Sequence, residues 1–338
     1  MVYYMKGMPT KIEISHKTII FTLLLLASVW VVLQITDILF LLFMSFILMS
    51  ALRPLVDGLE RIRVPRVIAI LLMYVLIFGV LGGVVASIVP ALVTESGKMF
   101  ELLPDFLAKT FPYVSTDIQS FTRQLAPVGE NIVRVTLGVF SNILAMLTVI
   151  TFTFYFLLER RNLRDLMTGL MGRSMGDRVF NVLMEIERRL GAWVLGELCL
   201  MLFVGLLSYG GLYFLRVEYA LPLAILAGFL EIVPTIGPTI SAVPAVLVAL
   251  SSSPSPWLAI SVAALYIIVQ QVENNLLVPM VMRRSVGIPP ILTIIALMIG
   301  GRFGGITGAV LAVPLLLAIQ EVVNSLPVSR DKKEKDEE

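Results

Sequence analysis

The sequence predicts an all-α polytopic membrane protein. Six full transmembrane helices are joined by two re-entrant helical hairpins that form an inverted repeat, about eight membrane segments in all. Three observations predict this. Long stretches carry no charge, Lys and Arg cluster in alternate connecting segments, and two apolar stretches in the C-terminal half break midway on Pro and Gly. Of the 338 residues, 58% are hydrophobic and only 15% are charged. A soluble domain carries about a quarter charged residues.

No Asp, Glu, Lys or Arg occurs in residues 18–36, 67–94, 135–158, 232–272 or 303–320. A helix of about 20 apolar residues crosses the hydrocarbon core. Only helices or closed barrels satisfy the backbone there, and unbroken apolar runs are the helical signature. The spans expected are 18–35, 38–52, 67–90, 136–158, 192–215 and 257–280. The apolar run after Lys6, Lys11 and Lys17 is too long for a signal peptide and lacks a small-residue cleavage site, so it reads as a retained first helix.

The charges orient these spans. One set of segments holds Lys6, Lys11 and Lys17, then Arg53, Arg61, Arg63 and Arg66, and then the seven arginines of 159–191. Arg283, Arg284 and the tail cations belong to the same set. The opposite segments hold only Lys98, Lys109, Arg123, Arg134 and Arg216. The positive-inside rule places both termini in the cytoplasm of a cell-membrane protein. Five regions are expected. Residues 1–90 supply scaffold helices, and 91–135 form an external amphipathic segment punctuated by Pro104, Pro112 and Pro127. Residues 136–191 hold a span and a cytoplasmic interfacial helix, 192–323 the transport core, and 324–338 a disordered tail.

The transport core carries the functional argument. Glu231-Ile-Val-Pro234-Thr-Ile-Gly237-Pro238 interrupts the apolar run 221–250. Proline removes a backbone donor and clashes with the preceding turn, so two prolines and a glycine this close break a helix. Gly300-Gly301-Arg302-Phe-Gly304-Gly305 does the same to the run 288–320, with Gly308 one turn on. An offset of 67 residues superposes Arg216 on Arg283, Pro222 on Pro289, Gly237 on Gly304 and Ala245 on Ala312. Paired broken helices in corresponding halves point to a midplane binding site. Glu231, Gln270, Glu273, Asn274 and Arg302 add polar or charged groups at that depth, where such groups face an interior or a cavity. Helical spacing puts Gln270, Glu273 and Asn274 on one face. A carboxyl group there can take up and release a proton during transport. Glu197 reads as an interfacial residue near a helix start.

Other classes find no support. Gly172-Arg-Ser174-Met-Gly176 matches a nucleophile elbow, but no histidine follows it to serve as base. No cofactor motif, metal-ligand cluster or nucleic-acid-binding stripe is present, and Cys199 has no internal partner. The chain reads as a transporter, not an enzyme. A non-transporting membrane scaffold is the alternative of another class.

Three motifs together resemble the autoinducer-2 exporter (AI-2E) family of permeases. They are Glu231 to Pro238, Gln270-x-x-Glu273-Asn274-Asn275-x-x-x-Pro279, and Gly300-Gly301-x-x-Gly304-Gly305-Ile306-x-Gly308 followed by Ala312-Val313-Pro314. The resemblance implies export of a small solute, autoinducer-2 in some members and sodium–proton exchange in others. It also implies a cyclic homo-oligomer and an elevator-like movement of the hairpin region. Gly304 stands where that family usually has an aromatic residue, and Glu197 where it often has Gln.

Overall fold

The computed structural model describes residues 16–110, 143–233, 236–252, 256–282 and 287–325. Every regular element among them is helical. The chain divides into two compact units, Met1–Phe43 and Met44–Glu338. In the first, α1 (His16–Gln34) keeps Phe21, Leu24 and Trp30 exposed. Apolar side chains displayed all round a helix suit lipid and not water. α2 (Thr36–Arg61) starts in this unit and runs on into the second.

The second unit continues with α3 (Arg66–Thr110), α4 (Ile143–Glu159), a 3-10 turn at Arg160–Asn162, α5 (Leu163–Met171) and α6 (Arg173–Phe214). Then come α7 (Ala220–Leu230), α8 (Ile236–Ser252), α9 (Trp257–Val272), a π turn at Glu273–Leu277, α10 (Val278–Met282) and α11 (Pro290–Asn324). Among the described residues six helices are long and apolar enough to cross a membrane: Thr36–Arg61, Arg66–Ser87, Ile143–Met171, Arg173–Phe214, Trp257–Val281 and Thr307–Asn324. Shorter apolar helices are Ile19–Ser28, Ala220–Leu230, Gly237–Leu250 and Ile291–Gly305, so the expected first span at 18–35 is not among the six, and the second arm of the expected 288–320 hairpin is.

Two cores organise this unit. Met49, Leu52, Val56, Ala69, Ile70, Tyr74 and Leu157 join α2, α3 and α4. The Tyr74 hydroxyl donates to the Ile150 carbonyl at 2.8 Å, which ties α3 to α4. The second core takes Val204 and Leu212 from α6, Leu223 and Ala227 from α7, Ala245 and Val248 from α8, and Val262 and Tyr266 from α9. Ion pairs fix which ends lie together. Glu187 on α6 meets Arg53 on α2 and Arg160 just after α4, and Arg189 on α6 meets Glu321 at the end of α11. The ends of α2, α4 and α11 and the first half of α6 therefore share one pole, the alternation that the Lys and Arg clustering requires.

Local outcomes differ from expectation in several places. α2 continues past residue 52 to Arg61, with Val56 buried in the core it shares with α3 and α4 and Arg53 paired to Asp57 one turn apart at 3.2 Å. α3 passes through Pro104 and ends at Thr110. A proline inside a helix frees one carbonyl, and an otherwise regular helix bends around it without ending. Pro112, Pro127 and the tail from 326 lie outside the described residues. The expected interfacial helix does not stand alone. Gly172, with φ 78°, ends α5, and from Arg173 a single helix of 42 residues runs through the expected boundary at 191. Val179, Leu183, Ile186 and Leu190 do form its inward stripe, each partly or fully buried.

Both expected breaks are present. α7 and α8 fold back on one another across residues 231–235. In α11 only Gly305 leaves helical geometry, at φ 58° and ψ −140°. A Cβ on Gly300 would strike the Gly308 carbonyl, and a Cβ on Gly308 would strike that of Gly300. In a straight helix residues eight apart lie about 12 Å apart along the axis. The chain therefore doubles back at Gly305, with Gly300 and Gly308 as the contact of its arms. The arms are unequal, because Thr307–Asn324 reaches crossing length and Ile291–Gly305 does not.

Candidate functional site

The site begins at a close approach of α6 and α7. A Cβ on Gly228 would lie 2.5 Å from the Met201 carbonyl and 3.2 Å from the Gly205 Cα. Glycine at 228 allows that approach, whereas a Cβ on Gly205 would meet nothing nearer than the Ala224 carbonyl at 3.4 Å. Met201 lies one turn beyond Glu197, and Gly228 lies three residues before Glu231. The glycine contact therefore draws the two carboxyl-bearing residues into one region.

Glu231 follows the last residue of α7 and is fully buried. The chain leaves the helix there through tight turns, Ile232 N–H donating to the Phe229 carbonyl and Val233 N–H to the Leu230 carbonyl. Gly237 N–H then donates to the Val233 carbonyl at 3.0 Å. A side chain at Gly237 would strike the Leu230 carbonyl, so glycine is the residue that lets α8 start against the end of α7. Gly237 and Pro238 are buried. Pro234 lies outside the described residues.

α9 supplies the third face. Tyr266, Gln270, Glu273 and Leu277 form one inward stripe, and Glu273 is 1% exposed. Gln270 Nε2 donates to Glu273 Oε2 at 3.0 Å. Glu273 also opens the π turn, in which Val278 N–H reaches back five residues to the Glu273 carbonyl. Single π turns inside helices occur often at functional sites. This turn puts Asn274 on the exposed side, away from Gln270 and Glu273.

Glu197, Glu231 and Glu273 are mutual neighbours, close enough to act on one another electrostatically. The Glu231 and Glu273 carboxyl groups lie within hydrogen-bonding reach of each other. Among the described residues no amide, hydroxyl or cationic donor reaches either oxygen of Glu197 or Glu231, or Oε1 of Glu273. The Tyr266 hydroxyl is likewise buried without a partner. Buried polar groups are normally hydrogen-bonded, and exceptions call for a cause. The arrangement is a buried acidic cluster with no cation from the described residues.

The remaining expected residues lie elsewhere. Arg302 is exposed, and among the described residues it has no recorded ion pair. Gly300 and Gly308 hold the arms of α11 together, Gly305 makes its turn, and Gly301 and Gly304 are partly exposed beside it. α11 packs on α6. Glu197 is the residue whose depth the spacing misjudged. No group of His, Cys, Asp and Glu among the described residues is arranged to hold a metal ion. The Gly172–Gly176 stretch joins two helices, with Ser174 exposed, and is no strand-to-helix elbow.

The model of the AI-2E family transporters matches residues 19–327, nearly the whole chain and all of this cluster. The chain belongs to that family. Its relatives carry transport-protein and permease names. YueF of Bacillus subtilis (strain 168) is 31% identical over 311 residues, covering 85% of this chain and 83% of that protein. YrrI of the same organism is 27% identical over 292 residues, 80% of each chain. The permease PerM of Escherichia coli (strain K12) is 23% identical over 252 residues, 70% of each. Membership makes this chain a multi-pass membrane protein of a transporter family, and points away from an enzyme.

Proposed function

We propose that this AI-2E family member is a secondary transporter of a small polar solute, coupled to H+ or Na+ through Glu197, Glu231 and Glu273. One observation carries the reading: Glu231 at a helix break, Glu273 at a π turn and Glu197 on α6 are buried neighbours, and among the described residues no cation neutralises them. Buried charge is costly unless paired. Two carboxyl groups as close as Glu231 and Glu273 can hold a proton between them, and a Na+ ion would need the carboxylate oxygens drawn closer together than they stand in this conformation. An autoinducer-2-like molecule fits the family name as cargo. Sodium–proton exchange is the second reading, favoured by the same oxygen-only donor set.

In this proposal residues 192–323 move as the transport core against the helices of 1–90 and 136–191. The α7–α8 and α11 hairpins are re-entrant elements related as an inverted repeat. The separate cores of α2–α4 and α6–α9 support that division. Both termini are cytoplasmic, the membrane is the cell membrane, and copies assemble as a ring through the scaffold helices. Pro234, Gly237 and Pro238 shape the break, and Arg302 and Asn274 meet solute or ion in another conformation of the cycle.

The test is flux in proteoliposomes, with autoinducer-2 and sodium as probes and an imposed pH gradient. Glu231→Gln and Glu273→Gln should each lower gradient-driven flux at least about tenfold. Unchanged flux in both well-folded variants would remove the cluster from the mechanism. A protein that moved neither probe but bound a partner protein through residues 91–135 would fit the scaffold alternative.

A further inference from the structure

A second polar site lies at the pole where Lys and Arg concentrate. The end of α2, the start of α3 and the turn after α4 converge on a cavity of about 420 Å³ lined by Asp57, Glu60, Arg61, Arg66, Arg160 and Arg161. Its wall therefore holds four guanidinium groups against two carboxylates. The acids are already engaged. Asp57 pairs with Arg53 and Arg66 at 3.2 Å each, and Glu60 pairs with Arg66 at 2.8 Å and Arg161 at 2.6 Å. Arg160 is held at 2.9 Å by the buried Glu187, and Arg66 Nε donates to the Leu157 carbonyl. Arg61 lines the cavity with no recorded ion pair among the described residues.

The arrangement holds Arg66 and Arg160 in place and leaves Arg61 and the largely exposed Arg161 to present positive charge at the opening. Arginine forks match the oxygens of a phosphate in paired fashion, and ordered forks lose little entropy on binding. Exposed apolar side chains flank the cavity residues along the chain: Ile62, 70% exposed, follows Arg61, and Leu55, Val67 and Leu71 are exposed large hydrophobics on the same ends of α2 and α3. A soluble phosphate has no use for such neighbours, whereas an acyl chain does.

We propose that this cavity binds the phosphate of an anionic phospholipid headgroup, with the acyl chains lying along the exposed apolar start of α3. Basic pockets at the ends of membrane helices are suited to anionic headgroups. The site is separate from the acidic cluster, and its occupancy stands whether or not the chain transports.

The test is a thermal-melting titration of the purified full chain in detergent. The probes are phosphatidylglycerol, phosphatidylcholine, inorganic phosphate and sodium chloride at matched ionic strength. Phosphatidylglycerol should raise Tm with a saturating dose response, and phosphatidylcholine and salt should not. Arg61→Gln should bind phosphatidylglycerol roughly tenfold more weakly, the loss of one charge-assisted contact. Arg161→Gln should act in the same direction, and Arg173→Gln, an exposed arginine outside the cavity, should titrate as wild type. A shift reproduced by inorganic phosphate and lost in Arg61→Gln would assign the phosphate site to a soluble anion and refute the lipid. Equal shifts in wild type, Arg61→Gln and Arg161→Gln, or a shift produced by salt alone, would overturn the site. Should a variant fail to fold, native mass spectrometry of wild type decides. Retained phosphatidylglycerol that survives where phosphatidylcholine is stripped supports the proposal, and equal stripping of both refutes it.

Discussion

Glu231 is fully buried and, among the described residues, accepts from no amide, hydroxyl or cationic donor, yet it sits one residue past a helix end, where the backbone turns sharply. A structural glutamate in such a position would normally find an arginine or a run of amide groups. Glu187 shows the contrast on the same protein, because Arg53 and Arg160 grip it from both sides at 2.7 and 2.9 Å. Removing it in Glu187→Ala leaves two arginines short of a partner and should destabilise the protein by ~3 kcal/mol, the lower end for a broken buried pair because Arg53 is a third exposed. Thermal melting reads that loss. Glycines separate by the same kind of reasoning. Gly305→Ala forces a side chain into φ 58°, ψ −140° and should cost about 1–3 kcal/mol, although no atom stands in the way. Gly301→Ala, four residues earlier in open space, should leave Tm unchanged or slightly raised.

At the scale of elements, the site depends on how closely α6 and α7 approach. Gly228→Val would press a branched side chain against the Met201 carbonyl and the Gly205 backbone. It should cost about 1–3 kcal/mol and separate Glu197 from Glu231, so stability and coupled flux should fall together. The elements also show what spacing could convey. Prolines and glycines mark the breaks at 231–238 and 300–308 because backbone chemistry acts locally. Which glycine of Gly300, Gly301, Gly304 and Gly305 turns the chain was not legible, since that follows from where the two arms meet. Asn274 left the expected face because a π turn adds a residue to the 3.6 repeat. Glu197 was placed near a helix start, but α6 begins at Arg173, which puts Glu197 in mid-helix.

For the whole molecule, hydropathy and charge alternation predict the helical class, and the ion-paired pole joining α2, α4, α6 and α11 agrees with the alternation. The arginine cavity was not legible, because its members come from residues 57–66 and 160–161 and only tertiary packing collects them. The helices α2–α4 and α6–α9 each pack around a hydrophobic core of their own, the arrangement that the proposed moving unit would need. The most direct measurement is gradient-driven flux of sodium and autoinducer-2 in proteoliposomes for wild type, Glu231→Gln and Glu273→Gln. The account predicts flux in wild type that follows the pH gradient and is lost in both variants. Flux that keeps its rate and its gradient dependence in both would contradict it.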